Sequence, residues 1–212
     1  MVNLGDIRRQ YTQGRLDEQT AAADPMTQFH AWFEQYRGTN PLEPTIMTVA
    51  SVDAEGQPWQ RILLLKAYDE NGFVFFTNYD SNKGQHFAAN AHASLHFFWI
   101  NLERQVQVQG LVEKISRAEA EAYFHSRPRE SQLGAWASAQ SRPLADRATL
   151  EAKFAEVSEQ YAGQDVPLPD YWGGYRLKPA RMEFWQGGEH RLHDRLEYSM
   201  AAGEWKKQRL NP

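Results

Sequence analysis

The chain has 212 residues, 42% hydrophobic and 13% aromatic, which suits one compact domain with a real core or a small domain with extensions. Its formal charge of -4 argues against a nucleic-acid binder, which would usually show a basic stripe, but leaves room for a local basic pocket. With no cysteine there are no disulfides, thiolate metal sites or cysteine nucleophiles; with neither a signal-peptide core nor an apolar run that could span a bilayer, the expected setting is the cytoplasm, away from the membrane.

Residues 1–20 are polar, with Arg8-Arg9-Gln10-Tyr11 as the one feature of note, and by composition read as a disordered tail. Asp24-Pro25 opens a helix, since Asp suits the N-cap and Pro the first helical position. Phe29, Trp32, Phe33 and Tyr36 follow at three- and four-residue spacing and mark its buried face; Gly38 and Pro41 end it. Strands are expected over 45–52, 59–67 and 73–78, joined by the turns Asp53-Ala54-Glu55-Gly56 and Tyr68-Asp69-Glu70-Asn71-Gly72, which makes an antiparallel meander. A short helix near 83–90 precedes strands over 93–99 and 104–114. Strands interrupted only by short helices suggest a closed or half-closed barrel, and there is no GxGxxG to support a dinucleotide fold.

Arg61 and Lys66 frame the apolar run Ile62-Leu63-Leu64-Leu65. Five residues apart, they point to opposite faces of a regular strand, so they serve one ligand only through a bulge or at the strand's end. The plain alternative is two solvated cations around a core strand. Ser116-Arg117-Ala118-Glu119 has capping-box spacing and opens a helix that Pro128 discourages from continuing. Tyr123 and Arg127, four apart, share a face of it, and Ser131 falls at the start of another short helix, where exposed backbone N–H groups favour a phosphate. An ordinary helix-to-helix corner is the competing reading. Asp146 caps an amphipathic scaffold helix through Leu150, Phe154 and Val157 to about Tyr161, and a stiff loop over 166–174 leads to the last strands. The Gly187-Gly188 pair reads as a hairpin turn; were its second arm a strand, Arg191, His193 and Arg195 would share one face. Two guanidiniums and an imidazole there suit a planar anion. A charged edge strand that discourages aggregation is the alternative.

The run Trp185-Gln186-Gly187-Gly188-Glu189-His190-Arg191-Leu192-His193-Asp194-Arg195 resembles the C-terminal signature of the pyridoxamine/pyridoxine 5'-phosphate oxidases, FMN enzymes of vitamin B6 metabolism. Further stretches resemble the same family in its usual order: Arg61 to Lys66, Phe76-Thr77 with Asn82-Lys83, Leu102 to Val106, and Tyr123 to Gln132. The resemblance runs from Arg8 to Pro212. It implies a mainly β fold with flanking helices, a split barrel of antiparallel, Greek-key-like strands. Residues 1–20 would form a mobile lid and 21–212 a single FMN-binding domain.

The resemblance also implies roles. FMN would be held by Arg61, Ile62, Leu64, Lys66, Phe76, Thr77, Asn82, Lys83, Gln105, Gln140, Ser141, Trp185 and Arg195. Substrate would be held by Arg8, Tyr11, Lys66, Tyr123, Arg127, Ser131, Arg191 and His193, with Arg191 and His193 at the reacting side. Phe76 and Asn82 depart from the family's Tyr and Arg, removing a hydroxyl and a guanidinium. The implied reaction converts pyridoxamine 5'-phosphate or pyridoxine 5'-phosphate to pyridoxal 5'-phosphate while O2 becomes H2O2, in a homodimer with FMN between the subunits. Rival readings are a split-barrel flavin reductase of another substrate and a noncatalytic pyridoxal phosphate or haem carrier. No metal site is expected: His190 and His193 lack an HExxH-type acidic partner.

Overall fold

The computed structural model describes residues 2–7 and 9–212. Helix α1 (Pro25–Gly38) starts where the sequence places it, with the Asp24 carboxylate accepting from the Thr27 N–H. The strands are β1 (Ile46–Val52), β2 (Pro58–Leu64), β3 (Ala67–Asp69), β4 (Gly72–Asn78), β5 (His92–Trp99), β6 (Arg104–Lys114), β7 (Trp172–Gln186), β8 (Asp194–Ala201) and β9 (Glu204–Leu210). Between them lie α2 (Asn82–Ala89), α3 (Arg117–Ser126), α4 (Arg129–Ala137) and α5 (Arg147–Gln160). All strand pairings are antiparallel, in the order β2-β1-β5-β6-β7-β4-β3, with β8 on β7 and β9 on β8.

Alternation along the strands sets the inside of this curled sheet. Met47 and Val49 of β1 and Leu95, Phe97 and Trp99 of β5 point inward and are buried, whereas Ile46 and Phe98 face out and are about half exposed. Helix α1 closes the inside: Phe29 meets Phe73 and Phe97, and Trp32 packs edge-on against Phe184. A second, smaller core of Ala120, Phe124, Leu133, Val166, Leu168 and Trp172 fastens α3 and α4 to the start of β7. The N-terminal segment lies along the sheet's other end. Leu16 is buried there, its N–H bonded to Asp194 Oδ2, and Lys207 Nζ donates to the carbonyls of Glu18 and Ala21.

Two local expectations fail. The strand expected over 59–67 breaks at Leu64: Leu65 N–H still bonds to Thr45 O, but Lys66 N–H bonds to Val74 O, so the chain crosses from β1 to β4 between Arg61 and Lys66. Strict alternation therefore does not separate those two cations. Nor is the glycine pair a tight hairpin turn. The β7–β8 connection spans 187–193 and contains the 3-10 turn Glu189–Arg191, with His190 and Arg191 at φ 55° and 65°. Only Arg195 of the expected Arg191/His193/Arg195 face lies on β8. The glycines serve close approach instead: a Cβ on Gly187 would come within 2.8 Å of Tyr11 Cβ, and one on Gly188 within 2.4 Å of Leu192 O.

Phe97, fully buried between α1 and β4, tests the barrel core. Phe97→Ala should lower unfolding free energy by about 3–5 kcal/mol, read as a fall in urea midpoint at unchanged slope.

Candidate active site

A cleft of about 710 Å³ opens beside the smaller core. Ile62, Leu64 and Lys66 come from β2 and its exit, Phe76 and Thr77 from β4, Tyr123, Arg127 and Ser131 from the α3–α4 corner, and Gln140 from the loop beyond α4. The crossover at Leu65 is what brings Lys66 to the same cleft as Ile62 and Leu64. Nine of the candidate residues thus line one cleft, and Lys83 reaches it through Thr77 and Gln140. Ser141 follows Gln140 with φ 69°, and Asn82 is the first residue of α2.

The electrostatics of this cleft are one-sided. Lys83 is buried, and its ammonium donates to Thr77 Oγ1 (3.1 Å), Ser81 Oγ (3.1 Å) and Gln140 Oε1 (3.0 Å), all neutral oxygens. Burial, and then the charge of Arg61, hold its pKa down to about 8. Arg61 donates to Ser51 Oγ (2.8 Å) and Val49 O (3.3 Å), and burial lowers its pKa too. Two cations that disfavour one another, bonded to hydroxyls and carbonyls with no carboxylate between them, fit a phosphate dianion. The donor set therefore suits the phosphate of FMN.

A second such seat lies at the α3–α4 corner. Arg127 Nη1 is buried without a hydrogen-bond partner, one of two such side-chain atoms among the described residues. Its guanidinium carbon lies 4.6 Å from the Trp172 ring, and burial lowers its pKa. Tyr123 stacks on Phe76 at 3.7 Å, and burial raises its pKa, so the phenol stays a donor at neutral pH. The backbone N–H of Ser131 is taken by Pro128 O, so only its hydroxyl, not the expected free amide, is available to an anion.

The remaining predicted residues assemble elsewhere. Gln105, Trp185 and Arg195 form one row across β6, β7 and β8, with Gln105 Oε1 3.1 Å from His96 Nε2. Arg195 donates to Glu183 Oε1 at 2.8 Å, which raises its pKa, so its charge is matched within the chain. Beside this row, His193 lies 4.7 Å from Trp185 and 5.6 Å from Tyr11, centroid to centroid, and Arg191 lies over the Tyr11 ring at 5.9 Å. Gly188 N–H donates to His193 Nδ1 at 3.1 Å, which leaves the ring proton on Nε2. Burial, and then Arg191, lower the His193 pKa, so the ring is neutral at pH 7. Arg8 lies outside the described residues.

These two groups occupy opposite ends of β7. Trp172, at the cleft, and Trp185, beside His193, are thirteen positions apart on one strand (185 minus 172). At about 3.3 Å per residue, that is up to roughly 40 Å along the chain. Residues absent from the sequence reading also emerge. Trp172 supports Arg127, Ser51 receives Arg61, and Glu103 anchors the N-terminal segment. Trp172 and Ser51 carry no signal in a lone sequence, whereas Glu103 stands inside the Leu102 to Val106 motif, two residues before Gln105.

Comparison with known proteins agrees with this geometry. Residues 31–161 match the family described as pyridoxamine 5'-phosphate oxidase. The chain belongs to that family. Residues 172–212 match the pyridoxine 5'-phosphate oxidase C-terminal dimerisation region. Two relatives named pyridoxine/pyridoxamine 5'-phosphate oxidase are 52% identical, from Shewanella amazonensis, and 53% identical, from a Synechocystis species. The first aligns over all of both chains, the second over all of this chain and 99% of the relative. Among solved structures, PhzG of Burkholderia lata in complex with tetrahydrophenazine-1-carboxylic acid superposes with a TM-score of 0.86 at 28% identity, covering 92% of this chain and 95% of that one. An FMN-binding protein of Nostoc punctiforme, at TM-score 0.72 and 16% identity over 90% of this chain and all of that one, shares the fold. The expectations of a split barrel, an oxidoreductase and FMN as its cofactor are borne out at the level of the family. Among the described residues no helix is long and apolar enough to cross a membrane, and no group of three or more His, Asp or Glu side chains could hold a metal.

The lowered pKa of Lys83 has a consequence for the apoprotein. Between about pH 8 and its ordinary value the unfolded chain binds the proton and the folded one does not, so stability gains with rising pH through that window. Lys83→Met should abolish the gain, measured as the difference between the two proteins' urea midpoints at pH 7.5 and pH 10.

Proposed function

We propose that this chain is an FMN-dependent oxidase that turns pyridoxamine 5'-phosphate or pyridoxine 5'-phosphate into pyridoxal 5'-phosphate, and that each active cleft is built by two subunits of a homodimer. The observation that carries this reading is the pair of carboxylate-free cationic seats at one cleft, Lys83 with Arg61 and Arg127 with Tyr123. Two phosphorylated aromatic ligands lying together would supply the two missing anions. The names of the full-length relatives support the same substrates.

Bound FMN supplies a hydride acceptor that dioxygen restores, with hydrogen peroxide as the second product. Arg61, Lys83, Thr77 and Gln140 hold its phosphate, with Asn82 and Ser141 alongside. Ile62, Leu64 and Phe76 give apolar cover, and Gln105 offers an amide that both donates and accepts to the ring edge. Arg127, Tyr123, Ser131 and Lys66 hold the substrate's phosphate, which fixes the pyridine ring. Holding both rings in register is the protein's main contribution to the rate.

Gln105, Arg191, His193, Trp185 and Arg195 would reach this cleft from the second subunit, because β7 and its neighbours hold this chain's own copies far from it. Neutral His193, with Nδ1 held by Gly188 N–H, is fit to orient the substrate's 4' substituent and to handle its proton. Arg191 supplies the charge beside it, and Arg8 and Tyr11 cover the substrate. The outer sheet face supports such docking: Ile62 and Phe98 are 60% and 53% exposed, and Phe98 is the register partner of Gln105. The dimerisation-region match over 172–212 supports it as well.

A reductase of another substrate, or a carrier of pyridoxal phosphate or haem, would give a different result in one experiment. Under nitrogen, either B6 phosphate added to the FMN-loaded protein should bleach the flavin absorbance, and admitting air should restore it with release of peroxide. Persistent yellow colour with both compounds would overturn the oxidase reading.

The shared cleft has its own test. Arg127→Ala and Arg191→Ala should each lose most catalytic efficiency on the phosphorylated substrate. Mixed and allowed to exchange subunits, the two inactive proteins should regain roughly a quarter of wild-type activity, since half the dimers are hybrids with one intact cleft. No recovery despite demonstrated exchange would mean that one chain supplies the whole site.

A further inference from the structure

We propose that Glu103 is a positioning residue for the reaction: its buried carboxylate latches residues 9–13 so that Tyr11 seats the reacting pair His193 and Arg191. This deepens the oxidase reading and rests on it.

Glu103 sits between the 3-10 turn Ile100–Leu102 and β6, in the left-handed region at φ 53°, and is 1% exposed. A buried acid on a strained backbone needs a reason, and both of its oxygens have one. Oε2 accepts from the N–H groups of Thr12 (2.7 Å) and Gln13 (3.0 Å), and Oε1 pairs with Arg9 Nη2 at 3.0 Å. The Glu103 carbonyl accepts from Gly187 N–H at 2.8 Å. One residue thus ties the N-terminal segment and the β7–β8 connection to the same corner.

Tyr11 lies between those two attachments. Its ring presses on Gly187 where a Cβ would not fit, and it stands edge-on to Trp185 (5.7 Å) and His193 (5.6 Å) under the Arg191 guanidinium. The segment from residue 16 onward is held separately, through Leu16 to Asp194, Arg209 to Leu16 O and Glu18, and Lys207 to the Glu18 and Ala21 carbonyls. Loss of the Glu103 carboxylate therefore releases residues 9–13 locally and leaves the anchored remainder in place. Truncating the side chain would also take the acceptor away from two N–H groups at once, which favours that release.

The test is a double-mutant cycle on the FMN-loaded enzyme with pyridoxamine 5'-phosphate, using Glu103→Ala, Tyr11→Ala and the double variant. Glu103→Ala should lower kcat/KM about tenfold or more, keep FMN affinity and Tm near wild type, and open a new protease cut N-terminal to Leu16. The double variant should be no worse than Tyr11→Ala alone. Glu103→Gln, which keeps one acceptor oxygen, should recover part of the loss and serves if the alanine variant does not fold. Multiplying effects in the double variant, unchanged kcat/KM, or loss of FMN and Tm without new cleavage would each overturn the proposal. A wild-type protein inactive on the phosphorylated substrate would instead sink the oxidase reading itself.

Discussion

A single extended strand cannot bring its two ends to one ligand, and β7 divides the candidate site residues between its two ends. Its first residue packs beneath Arg127, and its last two carry Trp185 and Gln186 beside the Tyr11, Arg191 and His193 group. The strand is pinned on both sides over most of its length, by β6 from Tyr175 to Gln186 and by β4 and then β8 on the other edge. No side-chain rearrangement shortens that span. The proposed two-subunit cleft answers that constraint, and a half-barrel that leaves Ile62 and Phe98 on its outer face has the apolar surface for it.

Charge is distributed to match. Arg176, Arg181, Arg195 and Arg209 are all neutralised by carboxylates within the same chain. Among the described residues, Lys83 and Arg61 instead bond only to neutral oxygens, and Arg127 keeps one nitrogen unpartnered. Burying such cations costs stability, and the cost is offset only when an anion arrives. The cleft thus holds cations that the chain's own carboxylates leave unmatched. Phe76, where a tyrosine was expected, takes no part in that charge pattern; its ring serves as the stacking partner of Tyr123.

Much of this was legible in the order of residues. Helix α1, α3 with its Ser116–Glu119 capping box, α5 after Asp146 and the bounds of β6 follow from caps, prolines and alternation, which are local effects. The crossover at Leu65 was not legible, because it is set by competition between Thr45 and Val74 for backbone bonds. Nor was the 187–193 connection. Two consecutive glycines usually signal a tight turn, but here their lack of side chains admits Tyr11 and Leu192 while His190 and Arg191 take the positive φ angles.

By itself the sequence determined the antiparallel class and the family, and through the resemblance it named the candidate anion-binding and reacting residues, since these rest on residue type and spacing along the chain. Only the tertiary structure decided which of them share a cleft, that Arg195 is already matched by Glu183, and that Glu103 holds the N-terminal segment against His193. Those outcomes depend on contacts between residues far apart in the chain, such as Thr12 and Glu103 or Lys83 and Gln140, and no local pattern encodes a distance across a sheet.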